Sequence, residues 1–480
     1  MNEPLQLEWS QSVVGNNGKI LHLGNTVQPG QGANVSLSCL DQDGNLLWQS
    51  GYNSAGNDND FGISLVQSSS GDIYALGTTE NGTTTNHDIL LLKFDSIGNL
   101  TWSQLINSVY NLNDIGTELI LSQNEDFIYI SASSEETVGD YDLLTMKYDI
   151  SGNMVWQNRY DHNALVEIPT GIRMDNNGGV YISAASGSTM NIWDYTVVRY
   201  DQNGTFLGDI RQPSVGAGFD QPMDFTQDSV GNIYITGRGA NNAQYDIRTI
   251  KLNENYGLEW AVSFDLSGFD DQGNTILVDV QGNVYVGGYA TQADNVKNMV
   301  LLKYDQNGTL LNNHVFPGEN PFQDAEIVDA KNKDFNSFYF LFNDKNKNGL
   351  SQSGVFKVDS TLSMKWNKKI SSPDSLFGND LNISSDGDLY ASASINGSHC
   401  KNLIVRFSEF SQLENYFLDD SLVPYCKDNE LIIRFKNSAI NKDAVNNNYN
   451  DKREIEFASI DYFLTNQAMN SFQNVSYGFC

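Results

Sequence analysis

A carboxylate stands 11 or 12 residues ahead of a recurring Gly-x-Ile-Tyr-like element at Asp60, Asp114, Glu167, Asp220, Asp271 and Asp324. Hard cations take several carboxylate and carbonyl oxygens, so six such side chains drawn around one axis would make a calcium-binding or ligand-binding ring. The competing reading is structural, because an acidic side chain ahead of a strand also accepts hydrogen bonds from its own loop. The residues alone leave both readings open. Other chemistry is sparse. His22, His87, His162, His314 and His399 fall singly, without a second His or Cys at ligand spacing, so no zinc motif is present. No nucleophile elbow, phosphate-binding loop or dinucleotide fingerprint occurs, and no cluster of arginines at a repeated inner-strand position is apparent. Asp41-Gln-Asp43-Gly-Asn45 lacks the closing Glu of a calcium loop and reads as a turn. The expectation is a chain with no catalytic residues and no required cofactor, calcium being the one ion its acidic ring would take.

The elements that must position these residues are repeats. Gly71-Asp-Ile-Tyr74, Gly178-Gly-Val-Tyr181, Gly231-Asn-Ile-Tyr234 and Gly282-Asn-Val-Tyr285 are four of eight copies, starting at 18 and ending with Gly387-Asp-Leu-Tyr390, with a mean period of about 53 residues. A second element follows each by some twenty residues, as in Lys93-Phe-Asp95, Lys147-Tyr-Asp149 and Lys303-Tyr-Asp305. Its basic residue reads as a structural ion pair. In the second copy the pattern predicts four strands, at Ile63 to Gln67, Ile73 to Gly77, Ile89 to Phe94 and Leu100 to Gln104, with Trp102 central in the last. Turns such as Asp95-Ser-Ile-Gly98-Asn99 put Asp where local N–H groups need an acceptor and Gly where positive φ is needed.

A four-stranded sheet too thin to bury its own faces, repeated around a ring, is a propeller blade. The chain therefore reads as all-β: an eight-bladed β-propeller of four-stranded antiparallel blades over residues 5–420, with seven blades as the alternative. Closure should bring Leu7 to Val14 beside blade eight, whose strands are expected at Asn382 to Ser384, Leu389 to Ser394, Leu403 to Phe407 and Ser411 to Phe417. Trp48, Trp102, Trp156, Trp260 and Trp366 should pack blade against blade. The carboxylates should then circle one channel mouth. On that same face the B-to-C loops vary most, and Tyr141, Trp193, Tyr245 and Tyr289 would offer aromatic contact to a protein or polysaccharide partner.

Asp228-Ser-Val-Gly-Asn-Ile-Tyr-Ile-Thr-Gly237 and Leu301-Leu-Lys-Tyr-Asp-Gln-Asn-Gly308 resemble the bacterial SBBP β-propeller repeat. That resemblance covers roughly residues 5 to 420 and implies a secreted or surface-displayed bacterial protein acting as a binding or scaffold module. Asp41-Gln-Asp-Gly-Asn-Leu-Leu-Trp48 is similar to the tryptophan-docking motif of quinoprotein dehydrogenases, but the adjacent Cys pair of that family is missing. After Leu418 the repeat stops. Residues 421–480 read as a small, incomplete α/β module opening with a strand at Glu430 to Lys436, with Cys426 and Cys480 as a possible disulfide. Glu430 to Val445 resembles the start of a subtilisin-type protease pro-segment, which implies the alternative of a non-catalytic front part of a larger secreted enzyme. A propeller enzyme with its site at the channel mouth is the other alternative.

Composition narrows the partners. With 28 basic and 59 acidic residues among 480, the chain carries a net charge of −31. It would repel a polyanion over most of its surface, which argues against nucleic acid and anionic lipid. No stretch approaches 18 apolar residues, so no membrane insertion is expected. Met1 to Trp9 lacks the basic and apolar regions of a signal peptide, and an extracellular or cell-surface location is expected from the Asn-, Ser- and Gly-rich acidic composition together with the resemblance.

Overall fold

In a computed structural model the repeats fold into eight antiparallel blades arranged in a ring, an eight-bladed β-propeller. The structure describes residues 11–407 apart from short loop segments, together with 425–427 and 430–433. Blade two shows the plan: strand A at Asp60–Gln67, B at Ile73–Asn81, C at Asn86–Phe94 and D at Leu100–Ile106, each hydrogen-bonded to the next. Strands A lie innermost and contact one another around the channel.

The two recurring sequence elements turn out to be halves of one interaction. The Tyr of the first lies buried on strand B at Tyr74, Tyr129, Tyr234, Tyr285 and Tyr339. The Lys of the second, on strand C, holds its ammonium 5.0–5.5 Å from that ring. The same ammonium reaches a C-to-D turn carbonyl of the following blade: Lys147 to Gln202 at 2.8 Å and Lys303 to Ser360 at 2.6 Å. The expected ion pairs form at Lys93–Asp72 and Lys251–Glu259. For Lys147 and Lys303 the partner is a backbone carbonyl, which the turn leaves pointing outward.

The tryptophans pack blade on blade, as their spacing suggests. A Cβ at Gly98, Gly204 or Gly308 would meet the ring of Trp48, Trp156 or Trp260 at 2.5–2.8 Å. Each of these glycines also sits at φ +81 to +89, so the turn requires Gly twice over. Around the ring the turn aspartates act as expected; Asp95 Oδ1 accepts the amides of Ile97 and Asn99.

The apolar core is distributed as eight clusters, one at each blade–blade interface. The smallest is at closure, where Ile20 and Leu40 of blade one meet Tyr390 and Ile404 of blade eight. Polar bonds reinforce it. Arg406 of blade eight donates to the Gln42 carbonyl of blade one at 2.6 Å, the counterpart of Lys147 reaching Gln202. The inner strand of blade one is Gln11–Val14; the expected stretch before Gln11 lies outside the described residues.

Blade eight departs from expectation. Its strands A to C are Ser375–Ile383, Leu389–Asn396 and Asn402–Phe407. The expected fourth strand at Ser411 to Phe417 lies outside the described residues. The outer place is taken instead by Glu430–Ile433, parallel to strand C, with Tyr425–Lys427 antiparallel beyond it. The strand assigned to a separate module from sequence thus extends the propeller's last sheet, covering an edge that would otherwise leave backbone groups unpaired. The remainder of 421–480, including Cys480, lies outside the described residues.

Candidate functional site

The loop-bearing mouth is organised by buried charge. Asp60, Asp114, Glu167 and Asp271 open strand A of their blades, and Asp220 directly precedes strand A of blade five, Gln221–Gln227. All five are 0–2% exposed. Each turns an oxygen back to an amide five or six residues earlier: Ser54 to Asp60 at 2.7 Å, Ser108 to Asp114 at 2.5 Å, His162 to Glu167 at 3.4 Å, Ser214 to Asp220 at 2.6 Å and Leu266 to Asp271 at 3.0 Å. In blades three to six the second oxygen takes a donor from the far end of strand B: the hydroxyls of Ser134 and Ser186, and the amides of Ala240 and Thr291. Each carboxylate thereby clamps the crossover loop entering its blade, the geometry of the structural reading.

Burial raises several of these acids. Glu167 is pushed up to about 8 and Asp271 to about 6, while Asp60 and Asp220 are raised by the same cause.

Asp324 does not belong to this ring. It is exposed, and the ring position in blade seven is held by Ala325, two residues before the strand-A bulge as Asp271 is in blade six. Asp324 instead accepts the Lys297 amide at 3.1 Å, as Asp270 accepts that of Tyr245 at 2.9 Å. The spacing count landed one residue early, on a neighbouring acid with a different duty. Blade eight has Leu376 at the ring position.

Behind the ring, strand C carries buried acids that meet basic residues of strand D. Arg159 binds Asp142 and the Ser134 hydroxyl, and Arg211 binds the Ser186 hydroxyl at 2.7 Å with Asp194 at 3.5 Å. In blades three and four the network therefore runs from strand-A acid through strand-B serine to strand-D arginine and strand-C aspartate.

The four aromatics stand on strands rather than free in loops. Tyr289 is buried beneath the Lys297 ammonium at 3.9 Å, and Tyr245 stacks on Arg238. Trp193 meets Phe219 edge-to-face at 5.1 Å, and Tyr141 accepts from Asn113 at 3.3 Å. They are half-buried or buried supports of the rim.

A second ring, not visible as a residue motif, lines the channel. Strand A of blades two to eight contains a β-bulge, which leaves a backbone amide without a ladder partner. The preceding blade supplies the acceptor: Gln11 to Leu65 at 2.6 Å, Glu118 to Ile172 at 2.9 Å, Asp224 to Ile276 at 2.8 Å and Asp329 to Leu381 at 2.8 Å. Asp380 caps Ser12 at 3.1 Å across the closure. Arg173 and Lys331 answer the charge, 2.7 Å from Glu118 and 2.9 Å from Asp329. Arg173 stands on the inner strand of blade four, Glu167–Met174, paired with Glu118. The available signal was a polar side chain four residues after the ring acid, as at Ser64, Glu118, Asp224 and Thr275. Replacing Asp224 by Ala should orphan the buried Ile276 amide and cost about 1–3 kcal/mol by denaturant midpoint, whereas Asp224→Asn, which keeps an acceptor, should lose far less.

Solved structures similar to this chain share little of its sequence. Sqt1 from Chaetomium thermophilum is 9% identical with a TM-score of 0.49, over 82% of this chain and 93% of that one. The β-propeller domain of the Trilobed protease from Pyrococcus furiosus is 10% identical with a TM-score of 0.41, over 73% and 94%. A protein of unknown function from Bacteroides caccae is 11% identical with a TM-score of 0.35, over 62% and 93%. No family model and no curated protein matches the sequence. The resemblances to the SBBP repeat and to a protease pro-segment rest on the residues quoted for them.

Proposed function

We propose that the chain is a secreted or surface-displayed propeller that acts as a rigid binding or scaffold module for a protein or polysaccharide. One observation carries this reading: the start of strand C in one blade is bonded to the crossover loop of the next, or to the first residue of its strand A. His87 bonds Asn113, Trp193 bonds Gly218, Tyr245 bonds Asp270, Lys297 bonds Asp324 and Ser351 bonds Ser375. Together with the carboxylate clamps, these bonds fix neighbouring loops against one another. A rim ordered before binding loses little entropy on binding, and its side chains vary while its frame repeats. Exposed apolar groups punctuate this rim at Val109, Val138, Ile168 and Met223. The acidic surface favours a neutral or basic partner.

Immobilised protein probed with a panel of soluble glycans and basic proteins provides the test, followed by hydrogen-exchange mapping of whatever binds. Protection is expected at the B-to-C segments between 133 and 142, 186 and 194, and 237 and 246. Protection confined to the Asp-x-x-Gly turns at the opposite face would overturn the assignment.

A further inference from the structure

We propose that blade three carries a calcium site formed by Glu136, Asp142 and Asp161, with Asp140 at its edge. Glu136 stands near the end of strand B, Phe127–Thr137; Asp140 and Asp142 begin strand C, Asp140–Asp149; Asp161 follows strand D, Met154–Tyr160. One oxygen from each of Glu136, Asp142 and Asp161 lies within 4.8 Å of the other two. Calcium holds its oxygens at 2.3–2.6 Å, so ligands on one ion stand up to roughly 5 Å apart. The three oxygens therefore fit a single coordination sphere.

A second observation points to a missing cation. The Asp142 carboxylate is fully buried; its Oδ2 receives Arg159, but its Oδ1 has neither solvent nor a hydrogen-bond partner. Asp140 Oδ1 is likewise buried and unpartnered. A buried carboxylate oxygen without a donor is costly, and native structures rarely leave one so. Repulsion adds to the cost. Asp140 and Asp142 share the guanidinium of Arg159 and both stand near the negative Asp161, while Arg159 also serves the hydroxyl and carbonyl of Ser134.

Blade five sharpens the comparison. Asp246 stands where Asp142 does and also leaves Oδ1 without a donor, but no carboxylate trio surrounds it among the described residues. What distinguishes blade three is that Glu136 and Asp161 each bring an oxygen within 4.8 Å of the Asp142 carboxylate. Donors that are all oxygen select a hard cation. The irregular set, open on the side of exposed Asp161, suits calcium's flexible coordination better than magnesium's strict octahedron.

The site differs from the strand-A ring, whose acids in blades three to six have both oxygens occupied by backbone or hydroxyl donors, and it does not depend on the partner reading. The test titrates the full chain, stripped with a chelator, with calcium chloride alone, by calorimetry and by melting temperature. One ion per chain is expected, with the melting temperature climbing with the logarithm of calcium above the dissociation constant. The double variant Glu136→Gln, Asp161→Asn changes two partly or fully exposed side chains and should weaken binding at least tenfold while melting as the parent does without calcium. Asp294→Asn, on an exposed turn of blade six, should bind as the parent does. Absence of binding at millimolar calcium, or binding unchanged in the double variant, overturns the site.

Discussion

Removal of residues 1–15 should lower the melting temperature by roughly 5–10 °C, far more than shortening the Val138–Gly139 hairpin tip. The truncation takes away Gln11–Val14, the inner strand of blade one. With it go the bonds that Ser12 makes to Asp380 and Asn382, and the Gln11 cap on the Leu65 amide. Each buried group left without its partner costs about 1–3 kcal/mol. The loss falls where apolar support is thinnest, since among the described residues the closure cluster has four buried members, Ile20, Leu40, Tyr390 and Ile404. The other interfaces hold eight to twelve buried residues each, so they cannot compensate for a ring that opens. Several kcal/mol across a domain of this size correspond to shifts of that order. Val138 is 90% exposed and Gly139 meets nothing within 4 Å of an added Cβ, which makes the hairpin tip a fair control. A truncated chain melting within a degree of the intact protein would show that closure contributes little.

The repeat is legible because its residue types perform the same local task in most blades. Tyr74 and Lys93 recur as Tyr129 and Lys147 because an aromatic ring under an ammonium needs those two types. The carboxylates Asp60, Asp114, Glu167, Asp220 and Asp271 were found by spacing for the same reason. The bulge caps were not, because an amide accepts any oxygen: Gln11, Ser64, Glu118, Asp224, Asp329 and Asp380 fill equivalent positions with four residue types. Between blades four and five, and six and seven, the bond even reverses, with Thr170 and Asn274 donating to Pro222 and Ile327 carbonyls. Asp324 was misplaced because the count assumed equal spacing in a blade whose ring position had become Ala325. The calcium trio escaped notice since Glu136, Asp142 and Asp161 belong to three separate segments of one blade and repeat nowhere as a set.

Glu167→Gln should stabilise the protein at pH 8.5 by on the order of 2 kcal/mol and leave it nearly unchanged at pH 4. Burial pushes the Glu167 carboxyl up to about 8, against an ordinary value of 4.5. The folded state therefore retains a proton that the unfolded chain releases. Its stabilising share is complete below pH 4.5 and is lost as the pH rises to 8, which the neutral amide of Gln avoids. The substitution keeps the shorter of the two local bonds and gives up the 3.4 Å acceptance from the His162 amide, because the Gln NH2 is a donor. Ser186 donates at 2.7 Å to one oxygen, which a Gln carbonyl can replace, while Arg211 holds that serine in place. Asp271, raised to about 6 by burial, adds a slope of the same sign between about 4 and 6. The turn acids work in the opposite sense: Asp95, Asp149, Asp201 and Asp305 are held below the ordinary carboxylate range by the amides and side chains they accept, and their contribution fades as pH falls. The two populations place maximal stability of the parent near pH 4–5 and give a decline toward pH 8.5. Mutual repulsion within a −31 surface deepens the decline in parent and variant alike, so the difference between their melting curves isolates Glu167. Parallel curves from pH 4 to 8.5 would mean that Glu167 ionises in the folded ring as readily as in the unfolded chain.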